Sequence, residues 1–410
     1  MNLYDTFVER GYLAQCTDDV ELPKLFASEQ VIGYIGFDPT ATSLHVGSLV
    51  PILSLVHLQR AGHRPIALVG GGTGMIGDPS GKTEMRQLLT LDMLAENAEA
   101  IKQQLSRFLE FGDDKAMMLN NVDWLAPLNY IEFLRDVGRH FSVNRMLAAE
   151  SVKLRLASDQ GLSFIEFNYA LLQAYDFMYQ AKHYGCKLQM GGNDQWGNIV
   201  AGVDLTRRML GMPVYGLTFP LITTSTGQKM GKTHAGAVWL DKERTSVYDF
   251  YQYWVNTTDD DVERFLKLFT FLPMETIEEL SRLEGAAINQ AKRELAFEVT
   301  KIVHGQSEAK TAQDAADAAF KGGGEVDAVP TTAMARDKLE QGLPAWQIFV
   351  ETGLCKSNSD ARRLIKQGGG YVADNRLNDF DTAITLDMAG DDGAIWLRAG
   401  KKKHHRVVPE

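Results

Sequence analysis

Gly36-Phe37-Asp38-Pro39-Thr40-Ala41-Thr42-Ser43-Leu44-His45-Val46-Gly47-Ser48 is the stretch that decides the fold. The apolar run 31–37 reads as a strand that ends in it, and 45–60 reads as the helix that leaves it, with a histidine in the first turn. A strand passing into a helix through a short polar connection is the repeating unit of a parallel sheet. The alternation continues outward from there. Stretches 65–69, 188–190 and 217–222 read as further strands, and 84–111, 164–183 and 195–210 as helices. The fold class expected is α/β, with a parallel sheet covered by helices over 1–222 and ligands at the carboxyl ends of its strands. A glycine-containing loop and connector follow over 223–245, then a strand-free helical domain over 246–320. Lys321-Gly322-Gly323-Gly324 opens a linker over 321–345, and a small α+β domain fills 346–410.

The 410 residues are 45% hydrophobic and 23% charged, an ordinary globular balance with room for two or three cores. The net charge of −11 argues against non-specific nucleic-acid binding by the whole surface. It is unevenly spread, because residues 346–410 carry +1 and residues 1–345 carry −12. Cys16, Cys186 and Cys355 are scattered and odd in number, which fits a reducing cytoplasm and excludes a cysteine-based zinc cluster. Met1-Asn2-Leu3-Tyr4-Asp5 lacks the basic-then-apolar order of a signal peptide, and no apolar run reaches the ~18 residues of a membrane span. A cytoplasmic protein with no membrane partner is therefore expected.

Two nucleotide motifs are suggested and then fail. Gly72-Thr73-Gly74-Met75-Ile76-Gly77 has dinucleotide-fingerprint spacing, but 84–111 reads as one long helix where a second strand ending in an acid is needed. Gly77-Asp78-Pro79-Ser80-Gly81-Lys82-Thr83 is one residue short of a P-loop, and Pro79 removes an amide donor. A third segment, Lys229-Met230-Gly231-Lys232-Thr233, sets two lysines three apart in a small, polar loop suited to closing over a pyrophosphate leaving group.

His45-Val46-Gly47-Ser48 resembles the HIGH element of class I aminoacyl-tRNA synthetases, and 229–233 resembles their KMSKS loop. The context narrows the resemblance. Tyr34 lies in the first strand and Asp78 follows the glycine turn. Tyr169, Gln173 and Asp176 fall at i, i+4 and i+7 on one helix face, and Gly191-Gly192-Asn193-Asp194-Gln195-Trp196-Gly197-Asn198 comes after them. This ordered set is similar to bacterial tyrosyl-tRNA synthetases from about residue 4 to about residue 406. The family has a Rossmann-like catalytic domain, an α-helical anticodon-binding domain and a small RNA-binding domain.

The resemblance implies a ligase that joins L-tyrosine to ATP, releases pyrophosphate, and passes the tyrosyl group to tRNA(Tyr). Thr40 and His45 would contact the phosphates, with Lys82, Arg86, Lys229 and Lys232 gripping the pyrophosphate. Asp78, Tyr169 and Gln173 would hold the substrate ammonium, and Gln195 would orient the carboxylate. Gly36, Asp38, Gly47, Ser48, Gly192 and Asp194 would serve the adenosine half. Tyr34 and Asp176 would face the phenol hydroxyl. Magnesium would arrive with ATP, with no protein metal site and no bound organic cofactor.

In the tail, Ser357 is placed to cap a helix whose Arg362, Arg363 and Lys366 reach RNA phosphates, in a segment similar to a module of ribosomal and pseudouridine-synthase proteins. The family is homodimeric, and 131–139 is the helix proposed for the interface. Three departures stand out. Ser48 replaces the second histidine of the HIGH element, Gly231 and Thr233 replace both serines of the KMSKS loop, and Ile35 sets an apolar side chain beside the adenosine site. Two competing readings remain at this point: a catalytically impaired tRNA-binding paralogue, and a dehydrogenase built on 72–77.

Overall fold

The computed structural model of the chain describes residues 2–80, 89–158, 161–225, 227, 230–233, 236–321, 329–373, 375–390, 392–400 and 403–410. It divides into two compact units, 1–245 with 257–291, and 246–256 with 292–410.

The first unit is built on a six-stranded sheet. Its strands are β1 (Gln15–Cys16), β2 (Ile32–Phe37), β3 (Arg64–Val69), β4 (Met117–Asn120), β5 (Leu188–Gly192) and β6 (Tyr215–Phe219), in the order β1-β6-β5-β2-β3-β4. All neighbours are parallel except β1, which lies antiparallel to β6 at the edge. The chain leaves β2 towards β3 on one side and returns to β5 on the other. The carboxyl ends of β2 and β5 therefore flank the point where the winding reverses, which is where open α/β sheets bind ligands.

The helix Leu49–Arg60 follows β2 and buries nine of its twelve residues, Leu53, Leu55 and Leu58 among them. Each such side chain contributes about 2 kcal/mol by leaving water. Close approach of this helix and β5 to β2 requires Gly33, since a Cβ there would lie 3.2 Å from Leu58 Cδ2 and 3.3 Å from Leu188 Cβ.

Several element boundaries differ from expectation: the helix expected over 45–60 is α-helical from Leu49, after a tighter turn over Val46–Ser48 capped by His45, and the strand expected over 188–190 runs on to Gly192. Strand β6 stops at Phe219 because Pro220 has no N–H to continue the ladder. Of the long helix expected over 84–111, residues 84–88 lie outside the described residues; the rest holds the helix Leu91–Leu105, started by Thr90, whose side chain caps Met93 N. It ends where the N–H groups of Arg107 and Phe108 turn back to Gln104 and Leu105 in tighter bonds.

The second unit holds the helices Val247–Val255 and Gln306–Lys321 and a five-stranded sheet. The order in that sheet is Asn375–Arg376, Gly370–Val372, Ile395–Ala399, Lys403–Pro409, Thr331–Met334. The helices Ala345–Glu351 and Asn358–Lys366 pack with it around Ile348, Phe349, Ile365 and Val407.

Of the linker expected over 321–345, residues 322–328 lie outside the described residues, and the reading of 329–345 needs correction. Residues 331–334 form a strand parallel to Lys403–Pro409, and Arg336–Gln341 is a helix. Met334 and Leu339 are buried in that core, so this stretch belongs to the small α+β module. The expected helical domain over 246–320 is likewise divided, with 257–291 grouped in the first unit. Among the described residues no helix is long and apolar enough to cross a membrane.

Candidate active site

A cavity of about 520 Å³ opens at the carboxyl ends of β2 and β5. Its deep wall is the helix Phe164–Tyr184. Ser163 and Glu166 form a capping box at its first turn, so two otherwise unpartnered amides are satisfied reciprocally. Glu166 is also held by Arg155 at 2.9 Å, with the two side chains only 6% and 1% exposed. The helical period then brings Tyr169, Gln173 and Asp176 to the cavity, where Tyr34 of β2 meets them.

Asp176 is 2% exposed. Its Oδ1 accepts from Trp124 Nε1 at 2.7 Å and its Oδ2 from Asn121 Nδ2 at 2.8 Å. Burial pushes the carboxyl up to about 7, while the two donors pull the other way. Beside it the Tyr34 hydroxyl is buried and has no hydrogen-bond partner among the described residues. Burial first, then the Asp176 charge, raises this phenol well above its ordinary value, so it stays protonated and can donate. Asn121 is locked in turn: its Nδ2 also reaches Thr73 Oγ1 at 3.0 Å and its Oδ1 accepts from Gly72 N at 2.7 Å. Trp124 stacks on Tyr179 with ring centroids 4.6 Å apart.

The middle of the cavity is rich in acceptors. Tyr169 donates to Asp38 Oδ2 at 3.4 Å, and its hydroxyl is raised well above the usual range by burial and then by Asp38. Gln195 Nε2 donates to Asp78 Oδ2 at 2.6 Å. Asn198 Nδ2 lies between Gln173 Oε1 (3.0 Å), Gln195 Oε1 (3.2 Å) and Ser80 Oγ (3.3 Å). The expected tyrosine-binding residues thus line one cavity in two hydrogen-bonded groups, Asp78, Gln173 and Gln195 joined through Asn198, and Tyr169 joined to Asp176 through Asp38, Thr73 and Asn121, with the Tyr34 hydroxyl outside both.

The outer part is glycine-lined. Gly36 sits exposed on β2 with no atom within 4 Å of where a Cβ would be. At Gly192 a Cβ would lie 2.6 Å from Asp194 Oδ1. His45 Nδ1 accepts from Gly47 N at 3.0 Å, and a Cβ on Gly47 would come within 2.7 Å of the imidazole. Since Nδ1 is an acceptor, the neutral ring carries its proton on Nε2. Asp38, Thr40, Ser48 and Asp194 also line this cavity, as does Ile35, 3% exposed.

Lys82, Arg86 and Lys229 lie outside the described residues, and of Lys232 only the backbone is described, in a two-residue strand paired with Gly236–Ala237. Gly231 shows why the loop departs from a serine there. Its φ is +78°, and a Cβ would stand 3.0 Å from Gly47 N.

Sequence reasoning passed over Asn121, Trp124, Thr73 and Asn198. The one available signal was the Asn120-Asn121 pair closing the fourth strand. The 72–77 glycines are accounted for without a dinucleotide. The Gly71 and Gly72 amides are taken by the side chains of Asn120 and Asn121, leaving no amide cradle for a pyrophosphate.

In the second unit Ser357 caps the helix Asn358–Lys366 as expected, accepting from Asp360 N. The basic residues there are not equivalent. Arg363 pairs with Asp360 at 2.7 Å, and Arg362 lies over the rings of Trp346 (4.8 Å) and Phe380 (5.4 Å), while Lys366 is exposed.

Residues 27–321 match the family described as tRNA synthetases class I (W and Y), and residues 324–407 match the tyrosine–tRNA ligase SYY-like C-terminal domain. The chain is 60% identical to the tyrosine–tRNA ligase of Desulfatibacillum aliphaticivorans, over 100% of this chain and 99% of that one. It is 56% identical to that of Desulfosudis oleivorans over the same shares. A C-terminally truncated mitochondrial tyrosyl-tRNA synthetase of Aspergillus nidulans superimposes with a TM-score of 0.70 at 31% identity, covering 78% of this chain and 94% of that one. Matched along its whole length by sequence and through its sheet by structure, the chain belongs to the class I tRNA synthetases, and within them to the ATP-dependent tyrosine–tRNA ligases.

Proposed function

We propose that the 520 Å³ cavity is where this ligase activates L-tyrosine, with the phenol at Tyr34 and Asp176 and the triphosphate at His45. The observation that carries the reading is the buried Tyr34 hydroxyl without a partner beside a doubly held carboxylate. A substrate phenol can accept from Tyr34 and donate to Asp176, satisfying both. Phenylalanine would leave both unpaired, at about 1–3 kcal/mol for each neutral group and more for the charged one. Asp78, Tyr169 and Gln173 offer acceptors to the ammonium, and Gln195, whose Nε2 keeps a second N–H beside its bond to Asp78, orients the carboxylate.

With the amino acid fixed, its carboxylate oxygen attacks the α-phosphorus in line. One P–O bond forms as the bond to the β-phosphate oxygen breaks, and pyrophosphate leaves. The protein supplies position and charge rather than a covalent intermediate. His45 Nε2–H and Thr40 donate to the phosphate oxygens, and Lys82, Arg86, Lys229 and Lys232 take the charge that develops on the leaving group. Gly36, Gly47 and Gly192 let the nucleotide lie against backbone, Asp194 accepts from the ribose diol, and Asp38 and Ser48 complete this end. Magnesium enters as part of the ATP substrate, held by phosphate oxygens. A hydroxyl of the tRNA 3′-terminal ribose then attacks the acyl carbon, and AMP leaves.

The small C-terminal module contacts tRNA through Arg362, Arg363 and Lys366, and the helical segments of 246–320 reach the anticodon end. A second copy of the chain packs on the segment 131–139, where Ile131 is 70% exposed. The cytoplasm is where these substrates meet.

The deciding experiment is amino-acid-dependent ATP–pyrophosphate exchange. Tyrosine alone should support it, and equal rates with phenylalanine or tryptophan would defeat the assignment of the deep end. Sedimentation should give a dimer, and Ile131→Glu should shift it towards monomer.

A further inference from the structure

Asp261 stands at the N-cap position of the helix Val262–Phe269. An aspartate there ordinarily accepts from the second or third amide of its own helix. Asp261 makes no such bond. The helix forgoes its cap, and the buried carboxylate turns instead to the segment that leads into the loop of Lys229 and Lys232. Its Oδ2 accepts from Ser225 N at 2.8 Å and from Thr258 Oγ1 at 2.7 Å, and its Oδ1 from Arg264 Nη2 at 2.6 Å. The same Arg264 nitrogen donates to Thr223 O. Thr223 and Ser225 are thus gripped through their backbone by two residues one helical turn apart. A backbone amide donating to a carboxylate makes a stronger bond than one donating to a neutral group.

The helix that provides this grip is fixed at its other end as well. The buried Arg10 guanidinium donates to Lys267 O at 3.2 Å, to Thr270 O at 2.9 Å and to Leu272 O. Carbonyls that a helix end leaves without an intrahelical partner are satisfied in this way. The gripped segment then passes the hold on. Met230 N donates to Ile222 O at 3.0 Å, and Val238 N to Gly231 O at 2.9 Å. Gly231 lies against the turn that carries His45, since a Cβ on it would stand 3.0 Å from Gly47 N. In sequence, Lys229 and Lys232 flank Met230-Gly231.

We infer that Asp261 is a positioning residue for the lysine pair. With Arg264 it sets where 222–225 lies, and the bond from Met230 to Ile222 carries that setting to the backbone between the two lysines. A local rule is broken at the N-cap, and what the helix gives up is spent on the place of a reacting segment. This inference rests on the proposed grip of Lys229 and Lys232 on the pyrophosphate.

The test uses the full chain and tyrosine-dependent ATP–pyrophosphate exchange. Asp261→Ala should lower kcat roughly tenfold to a hundredfold, the usual cost of misplacing a catalytic group, while KM for tyrosine stays within about twofold. Asp261→Asn keeps an acceptor oxygen for Ser225 N and should recover most of the rate. Arg264→Met loses the hold on Thr223 and should lower kcat about fivefold, as loss of one hydrogen bond does. In a background carrying Lys229→Ala and Lys232→Ala, Asp261→Ala should cost less than about twofold, because a residue acting through the lysines has nothing left to act on. The inference is overturned by an equal loss in both backgrounds, by a loss confined to KM for tyrosine, or by an unchanged kcat in folded Asp261→Ala. If Asp261→Ala melts below the assay temperature, Arg264→Met decides alone: a fall in kcat that vanishes without the lysines supports the inference, and an unchanged kcat overturns it. Full activity of the double lysine variant would instead break the proposed grip on pyrophosphate.

Discussion

The two ends of the cavity are built on opposite plans. The end proposed for the phenol is buried, made from a strand and a long helix, and over-determined: one carboxylate has two donors, and one of those donors is itself fixed from two directions. The end proposed for the nucleotide is glycine-lined and open, and its side chains come from turns. The contrast teaches where discrimination and chemistry are placed. Telling tyrosine from phenylalanine requires rigid polar groups out of water, where an unmade hydrogen bond is costly. Gripping a triphosphate whose charge moves during the reaction requires donors that can follow it, which loops supply.

Asp176→Ala attacks the rigid end and should have the largest effect. Removing one partner of a buried charged set costs about 2–5 kcal/mol, so kcat/KM for tyrosine should fall by roughly thirtyfold to several thousandfold. Unchanged constants would erase the contrast. His45→Ala attacks the open end. It should lower kcat by about a hundredfold, as loss of one preorganised donor does, with KM for tyrosine nearly unmoved. A large rise in that KM would mean the two ends are not separable.

Acidity should sharpen the comparison next. With the Asp176 carboxyl pushed up to about 7, lowering pH from 8 to 6 protonates the oxygen proposed to accept the phenol proton. KM for tyrosine should rise roughly tenfold over that range, while binding of ATP alone changes less. The linked effect on folding has a definite sign. The folded carboxyl binds its proton more tightly than the unfolded one, so its contribution to stability is present below about pH 4 and lost as pH rises through about 7. Trp124→Phe removes one donor from Asp176, which should raise KM for tyrosine by about tenfold at pH 7 and move the acid midpoint higher. The smallest effect belongs to Ser48→Ala, expected to change KM for ATP by no more than about threefold, since one neutral hydrogen bond in contact with water is at stake.

The same contrast governs how much could be read beforehand. The α/β alternation was visible because each strand and helix follows its own local period, and Tyr169, Gln173 and Asp176 were visible because i, i+4 and i+7 share a face. Asn121 and Trp124 were not, because their meaning comes from Asp176, more than fifty residues away in sequence. Thr331–Met334 reads as linker in the sequence for a similar reason, since its partner strand is Lys403–Pro409. At the open end, Gly231 looked like a departure from a motif. The backbone explains it, through a left-handed φ and the amide of Gly47 close by.

The Arg155–Glu166 pair has a consequence in time rather than in affinity. The first turn of a helix ordinarily frays, and its amides exchange with solvent early. Here that turn is closed by a capping box and an ion pair sealed from solvent, at the end of the helix nearest Tyr169. Added salt screens such a buried pair very little. The wall that reads the amino acid should therefore keep slow hydrogen exchange at its leading edge, with or without substrate and across ionic strength.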